Sequence, residues 1–502
     1  MEKQLLIIGG GIAGLAAGCY ARMNGYRATI FEMHNLPGGL CTAWKRKDYI
    51  FDGCLHYLFG SGEGQPFHDL WLELGAIQDR PMINHNEYQR LSDGENTLIV
   101  YCDPDQLEDH LCHISPRDKP LIQQFCAGVR QFTHFDLSAL YRKPRQLMNA
   151  LDWREFGMKM MPYLLPMTKW ANISAGEFAS RFQHPFLQRA FAQMFSWEEA
   201  PLIMGMALLA SMHNHNAGFP QGGSLAFAQA IEKRFIELGG EILYKAQVEK
   251  ILVENDQAVD VRLYNDEIYK GDVVISACDG RTTIFDLLDG QYINRRIKRM
   301  YDGHLPMHSM MQISLGVKRD LSNSPHWITH LLDQDVLIAG EPRREIGIKH
   351  YCFDPTLAPA GKSVIEVIVR TQYSYWQHIY GRRVYDEEQS QVSDILLHYL
   401  ESWHPGINAD IEVVDEATPL SYERYTGNWQ GSTCGFLLTK ETLPMLINGL
   451  PKTLPRLKNF YLAGQWVEPG GSVPLSAASG RNVIQLTCAA DGKPFFREAM
   501  PL

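Results

Sequence analysis

The residues with the clearest chemical potential are three glycines near the start of the chain. Gly9, Gly11 and Gly14 have the spacing Gly-x-Gly-x-x-Gly, and a short apolar run, residues 5–8, precedes them. At this spacing the first glycine permits a tight turn, and the second lets the backbone approach a pyrophosphate at a helix N-terminus. The third lets the helix pack closely on the strand. The sequence therefore predicts a strand, a turn and a helix that bind a dinucleotide.

A carboxylate at the end of the next predicted strand indicates which dinucleotides the site accepts. Glu32 follows the segment 27–31 and lies 18 residues after Gly14. An acid at this position accepts hydrogen bonds from the hydroxyls of an adenosine ribose, whereas an arginine would accommodate a 2′-phosphate. The pattern therefore favours NAD or FAD over their 2′-phosphorylated relatives. A second glycine pair, Gly38 and Gly39, follows the acid.

A second candidate binding segment lies near the other end of the chain. A strand-like segment, residues 459–463, leads into Gly464 and Gln465, and a helix rich in small residues is predicted from about residue 475 to residue 487. Pro474 suits the first turn of that helix. If the positive end of this helix points at the distal part of a long cofactor, it stabilises negative charge that develops there.

These segments must be positioned by a large folded chain. The 502 residues give an expectation of about three domains, and the 45% apolar and 21% charged residues exclude a disordered or coiled-coil chain. The net charge of -10 argues against a nucleic-acid partner. The 10 cysteines show no redox pair and no zinc-ligand spacing, which predicts reduced thiols and a cytoplasmic protein.

Hydrophobic periodicity divides the chain into three regions. We expect one dinucleotide-binding domain assembled from residues 1–104, 216–294 and 446–502, with short strands between residues 248 and 277. Residues 105–215 are rich in methionine, aromatic residues and helix formers, which predicts a helical insertion. Residues 295–445 alternate apolar and polar positions and are assigned to a substrate domain.

With these residues in place, the chain resembles the phytoene desaturase, carotenoid isomerase and retinol saturase group of FAD enzymes, within the superfamily that also contains the amine oxidases. The resemblance spans essentially the whole length. Besides the N-terminal glycines it rests on the segments 51–57 (FDGCLHY), 219–223 (FPQGG), 275–279 (ISACD), 418–427 and 463–481.

The resemblance implies an α/β fold: a discontinuous, Rossmann-like FAD-binding domain of the glutathione-reductase type, a mixed-sheet substrate domain and an inserted helical region. It implies FAD as the cofactor, with the region of Val248 contacting adenine through its backbone. The cofactor-binding positions that we expect are Gly9, Gly11, Gly14, Glu32, Gly38, Gly39, Val248, Ala277, Gly464, Gln465, Val473 and Ala477. Family members often have arginine after the glycine pair; Leu40 stands there in this chain.

The form Phe-Asp-x-x-x-His-Tyr is more similar to retinol saturases than to carotene desaturases. The resemblance thus implies saturation, desaturation or cis-trans isomerisation of carbon–carbon bonds in a hydrophobic polyene, isoprenoid or unsaturated lipid. Such reactions exchange a hydride with flavin N5 while a proton joins or leaves the neighbouring carbon. His56 and Tyr57 are the candidate catalytic residues, and a purely structural, hydrogen-bonded role for either one is the alternative.

Two other functions stay open on the sequence, an amine oxidase and a non-enzymatic escort protein that binds lipid or prenyl groups. The sequence has no second Gly-x-Gly-x-x-Gly between a strand and a helix, so we expect a separate electron donor or acceptor. The apolar stripe near residues 156–170 is read either as core or as a surface for peripheral membrane contact. His213 and His215 have the spacing of two metal ligands on a strand but lack a third, and no metal is expected.

Overall fold

The computed structural model describes residues 2–195, 197–382 and 384–498. Its strands are, in chain order, β1 (Gln4–Ile8), β2 (Arg27–Glu32), β3 (Ala43–Arg46), β4 (Tyr49–Asp52), β5 (Leu58–Phe59), β6 (Met82–Ile83), β7 (Glu87–Ser92), β8 (Thr97–Tyr101), β9 (Ala217–Pro220), β10 (Glu241–Tyr244), β11 (Val248–Glu254), β12 (Gln257–Leu263), β13 (Ile268–Lys270), β14 (Val273–Ser276), β15 (Met310–Val317), β16 (Trp327–Ile338), β17 (Glu341–His350), β18 (Ser363–Arg370), β19 (Ile411–Ala417) and β20 (Phe460–Leu462).

The α-helices are α1 (Ile12–Met23), α2 (His68–Glu73), α3 (Pro104–Ile114), α4 (Lys119–Phe132), α5 (Ala150–Met160), α6 (Leu164–Ala171), α7 (Ala175–Ala179), α8 (Pro185–Gln193), α9 (Leu202–His213), α10 (Gly223–Glu237), α11 (Arg295–Met300), α12 (Tyr373–Gly381), α13 (Tyr385–Trp403), α14 (Ile407–Asp410), α15 (Pro419–Thr426), α16 (Leu443–Asn448) and α17 (Val473–Ala490). None of these described helices is long and apolar enough to cross a membrane.

A parallel five-stranded sheet forms the centre of the dinucleotide domain. Its strand order is β10-β2-β1-β14-β20, and each neighbouring pair is parallel. β1 is buried along almost its whole length, as expected for a strand covered on both faces. Helix α1 packs on both α10 and α17. Because β20 and α17 come from the end of the chain, both ends of the sequence meet in this one domain.

A second, seven-stranded mixed sheet has the strand order β19-β15-β18-β17-β16-β7-β8. One face is apolar and packs on α12 and α13 through Trp376 and Leu396. The opposite face of its central strands carries Gln312, Lys349 and Glu366, which are buried polar residues. Period-two alternation within each strand separates these two faces.

The structure differs from the sequence-based division at one boundary. Residues 87–101, which that division assigns to the dinucleotide domain, form β7 and β8 and pair with β16 in the mixed sheet. A β-hairpin of this kind has no local signal for the sheet that it joins, because the partner strand lies over 200 residues further along the chain. The three-region division itself stays a proposal, with this hairpin moved to the mixed sheet.

The region between β8 and β9 is helical, from α3 to α9, and has its own apolar core. Phe125, Phe178 and Phe191 are fully buried at its centre and contact one another, with ring centroids 4.8 to 5.9 Å apart. Aromatic clusters of this size stabilise a domain largely through the apolar area that they bury.

Candidate active site

The N-terminal glycines lie in the connection that the sequence predicts. Gly9 adopts a left-handed backbone with φ of 98° directly after β1, and its amide donates to the Phe31 carbonyl at 2.8 Å. A Cβ on Gly14 would lie 2.0 Å from the Gly9 carbonyl oxygen, so only glycine allows α1 to start this close to the strand. Gly11 is the N-cap of α1, and no side chain caps the helix there. The first amides of α1 are therefore available to an anionic ligand.

Glu32 ends β2 beside this turn. One carboxylate oxygen accepts from the Gly10 amide at 2.7 Å and the other from the His34 amide at 2.8 Å. Burial raises the pKa of Glu32, and these backbone hydrogen bonds act in the opposite direction. The Glu32 carbonyl accepts from the Ala246 amide at 2.9 Å, which brings the start of β11 at Val248 to the same end of the sheet.

The second glycine pair closes the same turn. The Gly38 amide donates to the Gly10 carbonyl at 2.9 Å, and Gly38 forms a bridge with Gly11. Gly38 has φ of 106°, and a Cβ there would lie 2.1 Å from the Cys41 carbonyl oxygen. Gly39 is also left-handed, with φ of 61°. The pair is thus a tight loop packed directly on the first glycine turn.

The C-terminal segment reaches the same place. A Cβ on Gly464 would lie 3.5 Å from that of Ala13 in α1 and 3.8 Å from the carbonyl oxygen of Ala277. Helix α17 begins at Val473 with an N-cap, Ser472, that makes no side-chain capping bond, and Ala477 in its second turn is fully buried. Helices α1 and α17 thus pack together near their uncapped N-termini.

Gln465 connects this segment to the loop after α15. Its side-chain amide donates to the Asn428 side-chain oxygen at 3.2 Å, and the ring nitrogen of Trp466 donates to the same oxygen at 3.3 Å. The residues therefore fit a long dinucleotide: a ribose carboxylate and uncapped α1 at one end, and uncapped α17 beside Gly464 at the other. The role of each of these positions stays a prediction.

His56 and Tyr57 line a small cavity of about 20 Å³ beside the mixed sheet, enough for one water molecule. Its other walls are mostly aromatic, histidine and aliphatic side chains: Leu55, His85, Tyr88, Met212, Phe219, His326, Trp327, Tyr351 and Phe353. Burial raises the pKa of Tyr57 to about 12 and, together with the charge of Lys349, holds the pKa of His56 well below its usual range. At neutral pH Tyr57 is protonated and His56 is uncharged.

A buried lysine, which the sequence reasoning missed, completes this cavity. Lys349 of β17 is only 7% exposed, and its Nζ forms a hydrogen bond with His56 Nδ1. The ammonium lies 4.4 Å from the ring centroid of Trp327. Burial lowers the pKa of Lys349 to about 8, against the charge of Glu366.

Glu366 is the carboxylate that faces this lysine. The two residues are direct cross-strand partners in the β17–β18 pairing. The Glu366 carboxylate accepts from the Gln312 side chain at 3.0 Å and from the Tyr351 hydroxyl at 3.3 Å. Burial raises the pKa of Glu366, and the charge of the lysine acts in the opposite direction.

A second buried carboxylate holds the loop that bears His56. Asp52 accepts from the amides of Cys54 and Leu55 at 3.0 and 3.1 Å. It also accepts from the amide and the hydroxyl of Ser224, both at 2.6 Å, at the start of α10. The Ser224 carbonyl in turn accepts from the Cys41 thiol at 3.6 Å. One helix start therefore joins the His56 loop to the glycine-pair loop.

Of the two buried charged residues that the sequence analysis missed, Glu366 could have been recognised from the sequence and Lys349 could not. Glu366 is the only polar residue in the run Val364–Val369, where a solvent-facing carboxylate would be accompanied by polar residues at every second position. Nothing local distinguished Lys349, because its partners come from distant segments.

His213 and His215 lie at the end of α9 and just after it, not on a strand, and His213 Nδ1 is 3.7 Å from Asp103. Among the described residues, no group of three or more His, Cys, Asp or Glu is arranged to hold a metal ion.

A larger cavity of about 600 Å³ lies between the loop before α2, the end of α4 and α17. Phe132 and Phe135 line it together with Arg142 and Arg481, and its walls are mainly polar. It contains none of the predicted site residues. Arg481 is 6% exposed, and its Nε has no hydrogen-bond partner.

Comparison with known proteins identifies the fold of the chain. Residues 7–74 match the NAD(P)-binding Rossmann-like domain family. The whole chain has the fold of cyclohexylamine oxidase from Brevibacterium oxydans, with a TM-score of 0.61 at 12% identity, over 98% of this chain and 100% of that one. The protein has an α/β fold with a Rossmann-like dinucleotide domain and a mixed-sheet domain, as the sequence predicts.

The sequence is also similar to proteins of known activity. The chain is 25% identical to prolycopene isomerase 1, chloroplastic, from an Oncidium hybrid cultivar, over 95% of this chain and 82% of the relative. It is 22% identical to the lycopene-forming phytoene desaturase of Pseudescherichia vulneris, over 96% of this chain and 99% of the relative. The chain is thus similar, over nearly its whole length, to a carotenoid isomerase and a phytoene desaturase, the group that its motifs resemble.

Proposed function

We propose that the protein is a FAD-dependent oxidoreductase that acts on carbon–carbon bonds of a hydrophobic polyene, isoprenoid or unsaturated lipid. The reaction is saturation, desaturation or cis-trans isomerisation. The observation that carries the proposal is the meeting of Gly464 and the start of α17 with the glycine turn of α1, because this brings together the two segments that would hold opposite ends of FAD. The names of the relatives, a prolycopene isomerase and a phytoene desaturase, support the substrate class.

Each of four segments of the dinucleotide domain suits one part of FAD. Glu32 would hold the adenosine ribose, the amides of α1 the pyrophosphate, and the backbone near Val248 the adenine. The N-terminus of α17 would lie at the flavin, where its partial positive charge stabilises a reduced, anionic ring. When bound, FAD supplies a two-electron carrier that exchanges a hydride at N5.

The chain itself supplies the proton-handling groups. Tyr57 stays protonated to high pH and can donate a hydrogen bond, and neutral His56 offers one donor and one acceptor nitrogen. Saturation consumes two electrons and desaturation releases two, so either direction needs a separate donor or acceptor, whereas isomerisation needs neither. We therefore keep a separate electron partner in the proposal for the redox reactions.

The binding of FAD is tested with a variant that separates folding from cofactor contact. A Cβ on Gly11 would come no closer than 3.7 Å to its neighbours, so Gly11→Ala fits the fold while its methyl group occupies the ligand face. Gly157 of α5 has nothing within 4 Å of its added Cβ, and Gly157→Ala is the matched control. We expect wild type and Gly157→Ala to bind FAD and become yellow, and Gly11→Ala to fold but bind FAD weakly.

The reaction is tested by reducing the holoenzyme with dithionite under anaerobic conditions and adding candidate polyenes, unsaturated lipids or amine-derived imines. Reoxidation of the flavin by a polyene or unsaturated lipid supports the proposal. With oxidised enzyme, bleaching by amines alone would identify an amine oxidase. Colourless protein that ignores added FAD yet binds prenyl lipids would identify an escort protein, and either result would overturn the proposal.

We also propose peripheral contact with a membrane, through residues 142–169, for a protein located in the cytoplasm. Leu151, Met161 and Leu165 of this segment are 73%, 67% and 83% exposed, which is costly in water unless another surface covers them. The segment contains six Lys and Arg residues and two acids in a chain of net charge -10. Apolar side chains flanked by basic ones match an anionic bilayer surface.

The segment also lies beside the larger cavity. Tyr163, between α5 and α6, has its ring centroid 4.9 Å from Phe135 and 6.2 Å from Phe132, and both phenylalanines line that cavity. A substrate dissolved in a membrane would meet the protein at this place.

Vesicle flotation tests the contact, with Leu151→Glu/Leu165→Glu as the variant. Leu337 of β16 is 66% exposed outside the segment, and Leu337→Glu is the control. We expect wild type and the control to float with vesicles that contain phosphatidylserine, and the double variant to remain in solution. Equal flotation of all three proteins would show that the segment does not make the contact.

A further inference from the structure

The contact between Lys349 and His56 determines which nitrogen of the imidazole carries the proton. A lysine ammonium has only hydrogen atoms to offer, so it donates, and His56 Nδ1 must accept with its lone pair. The ring is uncharged, because burial and the nearby cation oppose a second proton. The single ring proton is then on Nε2, and Nε2 is the polar atom that His56 can offer to the cavity that it lines.

Three features of the fold determine the surroundings of Lys349. Glu366 lies directly opposite on β18, the Trp327 ring lies 4.4 Å from the ammonium, and the strand pairing fixes the backbone. Glu366 is held by Gln312, whose own side-chain oxygen accepts from the Tyr422 hydroxyl at 2.7 Å. The ammonium therefore has little freedom to turn away from the imidazole.

Other titratable groups surround the pair, and the hydroxyl-bearing side chains among them are Tyr57, Tyr88 and Tyr351 of the cavity wall. The carboxyl, thiol and imidazole groups around Lys349 and His56 are Glu366, Asp52, Cys54, His85, His326 and His308. Asp52 is saturated by four donors from the backbone and Ser224, so Glu366 is the carboxylate left to balance the lysine. Burial holds the pKa of His85 and of His308 at about 4, so these rings add no charge at neutral pH.

We propose that Lys349 is a positioning residue that acts through His56: it fixes the neutral Nε2–H tautomer and so presents an N–H donor to the cavity. Lys349 does not need to touch substrate for this role. The consequence for catalysis rests on the proposed function, because it assumes that the reacting carbon or a bridging water occupies this cavity. The tautomer itself does not depend on that assumption.

The test is the ¹⁵N NMR spectrum of the histidine rings in the full-length protein, with His56 assigned by the signal lost in His56→Gln. We expect wild-type His56 to show the neutral Nε2–H form at neutral pH. Lys349→Arg keeps a donor and is expected to keep this form. Lys349→Met removes the donor, so we expect mixed tautomers and a higher His56 pKa.

Lys349→Met leaves Glu366 without its counter-charge, so Lys349→Met/Glu366→Gln is measured beside it. The double variant removes both charges and gives the same NMR answer if the single variant does not fold. A wild-type Nδ1–H form, or an unchanged His56 spectrum in the folded double variant, would overturn the proposal.

A kinetic measurement separates this role from a merely structural one. If His56 is positioned by Lys349, the Met variant lowers kcat by about 10²-fold or more, the range of a lost acid–base group, with KM changed much less. Lys349→Arg restores most of kcat. Absence of bound FAD would refute the proposed function while the NMR result still decides the tautomer. An unchanged kcat in an active Met variant would refute the catalytic consequence.

Discussion

The packing of α17 on α1, which joins the two ends of the chain, gives a quantitative prediction. A Cβ on Gly480 of α17 would lie 2.3 Å from the Ala13 carbonyl oxygen and 2.8 Å from the Ala17 amide nitrogen of α1. Both neighbours are backbone atoms and cannot rotate away, so Gly480→Ala must push the helices apart. Overpacking of this kind costs about 1–3 kcal/mol, and the gain in helix propensity of about 1 kcal/mol offsets only part of it.

The displaced helices are the two that we propose to hold opposite ends of FAD. If 1–3 kcal/mol of strain is relieved when the cofactor leaves, the Kd for FAD rises between about 5-fold and 150-fold. Flavin fluorescence titration measures this Kd, and urea unfolding measures stability. Gly157→Ala, again at a helical glycine, removes the same backbone freedom without a neighbour, and we expect it to leave the FAD Kd unchanged and stability equal or higher.

An unaltered FAD Kd together with unaltered stability in Gly480→Ala would refute the reasoning, because the contact would then not constrain the two helices. Loss of stability with unaltered FAD affinity would show that α17 packs on α1 but does not position the cofactor site.

Three further predictions concern buried charges. Asp52→Asn should lower the urea midpoint, by a stability loss of about 2–3 kcal/mol, because the new amide cannot accept from both the Ser224 amide and hydroxyl. Burial raises the pKa of Asp279 from 3.8 to about 6, so the stability that its protonated carboxyl contributes is full below about pH 3.8 and is lost as the pH rises through 6. In urea unfolding, wild type should therefore lose roughly 2 kcal/mol of stability relative to Asp279→Asn between about pH 4 and pH 6.5. Parallel pH curves for the two proteins would contradict this prediction. In urea unfolding, Lys349→Met alone should be less stable than Lys349→Met/Glu366→Gln by about 1–3 kcal/mol, because the single change leaves a buried carboxyl without a neighbouring cation.

The sequence predicted best where chemistry and structure are local. The strand, glycine turn and helix from β1 to α1, and the carboxylate at the end of β2, depend on neighbouring residues and appear as expected. The C-terminal helix was also predicted, although α17 extends from Val473 to Ala490, beyond the predicted range. Small residues made this helix recognisable because they permit the backbone contact with α1.

The sequence could not predict features that depend on strand register or on distant partners. His56 and Lys349 are 293 residues apart, and only the pairing of β17 with β18 brings Glu366 opposite the lysine. The hairpin of β7 and β8 joins the mixed sheet for the same kind of reason, through a parallel contact with β16. His213 was read as part of a strand, but the apolar residues before it continue as α9.

The buried pair Lys349–Glu366 is difficult to explain by stability alone. Removing two charges from water costs several kcal/mol per ion, and apolar residues of similar size at such positions are often as stable or more so. The opposite face of the same strands shows that this sheet can be filled with apolar residues, as at Ile348 and Ile365. The Lys349 ammonium contacts His56, the histidine that follows the Phe-Asp motif, and this contact gives the pair a role other than stability. Local departures from the rules of core packing are expected at functional sites, and a buried lysine opposite a buried carboxyl is such a departure.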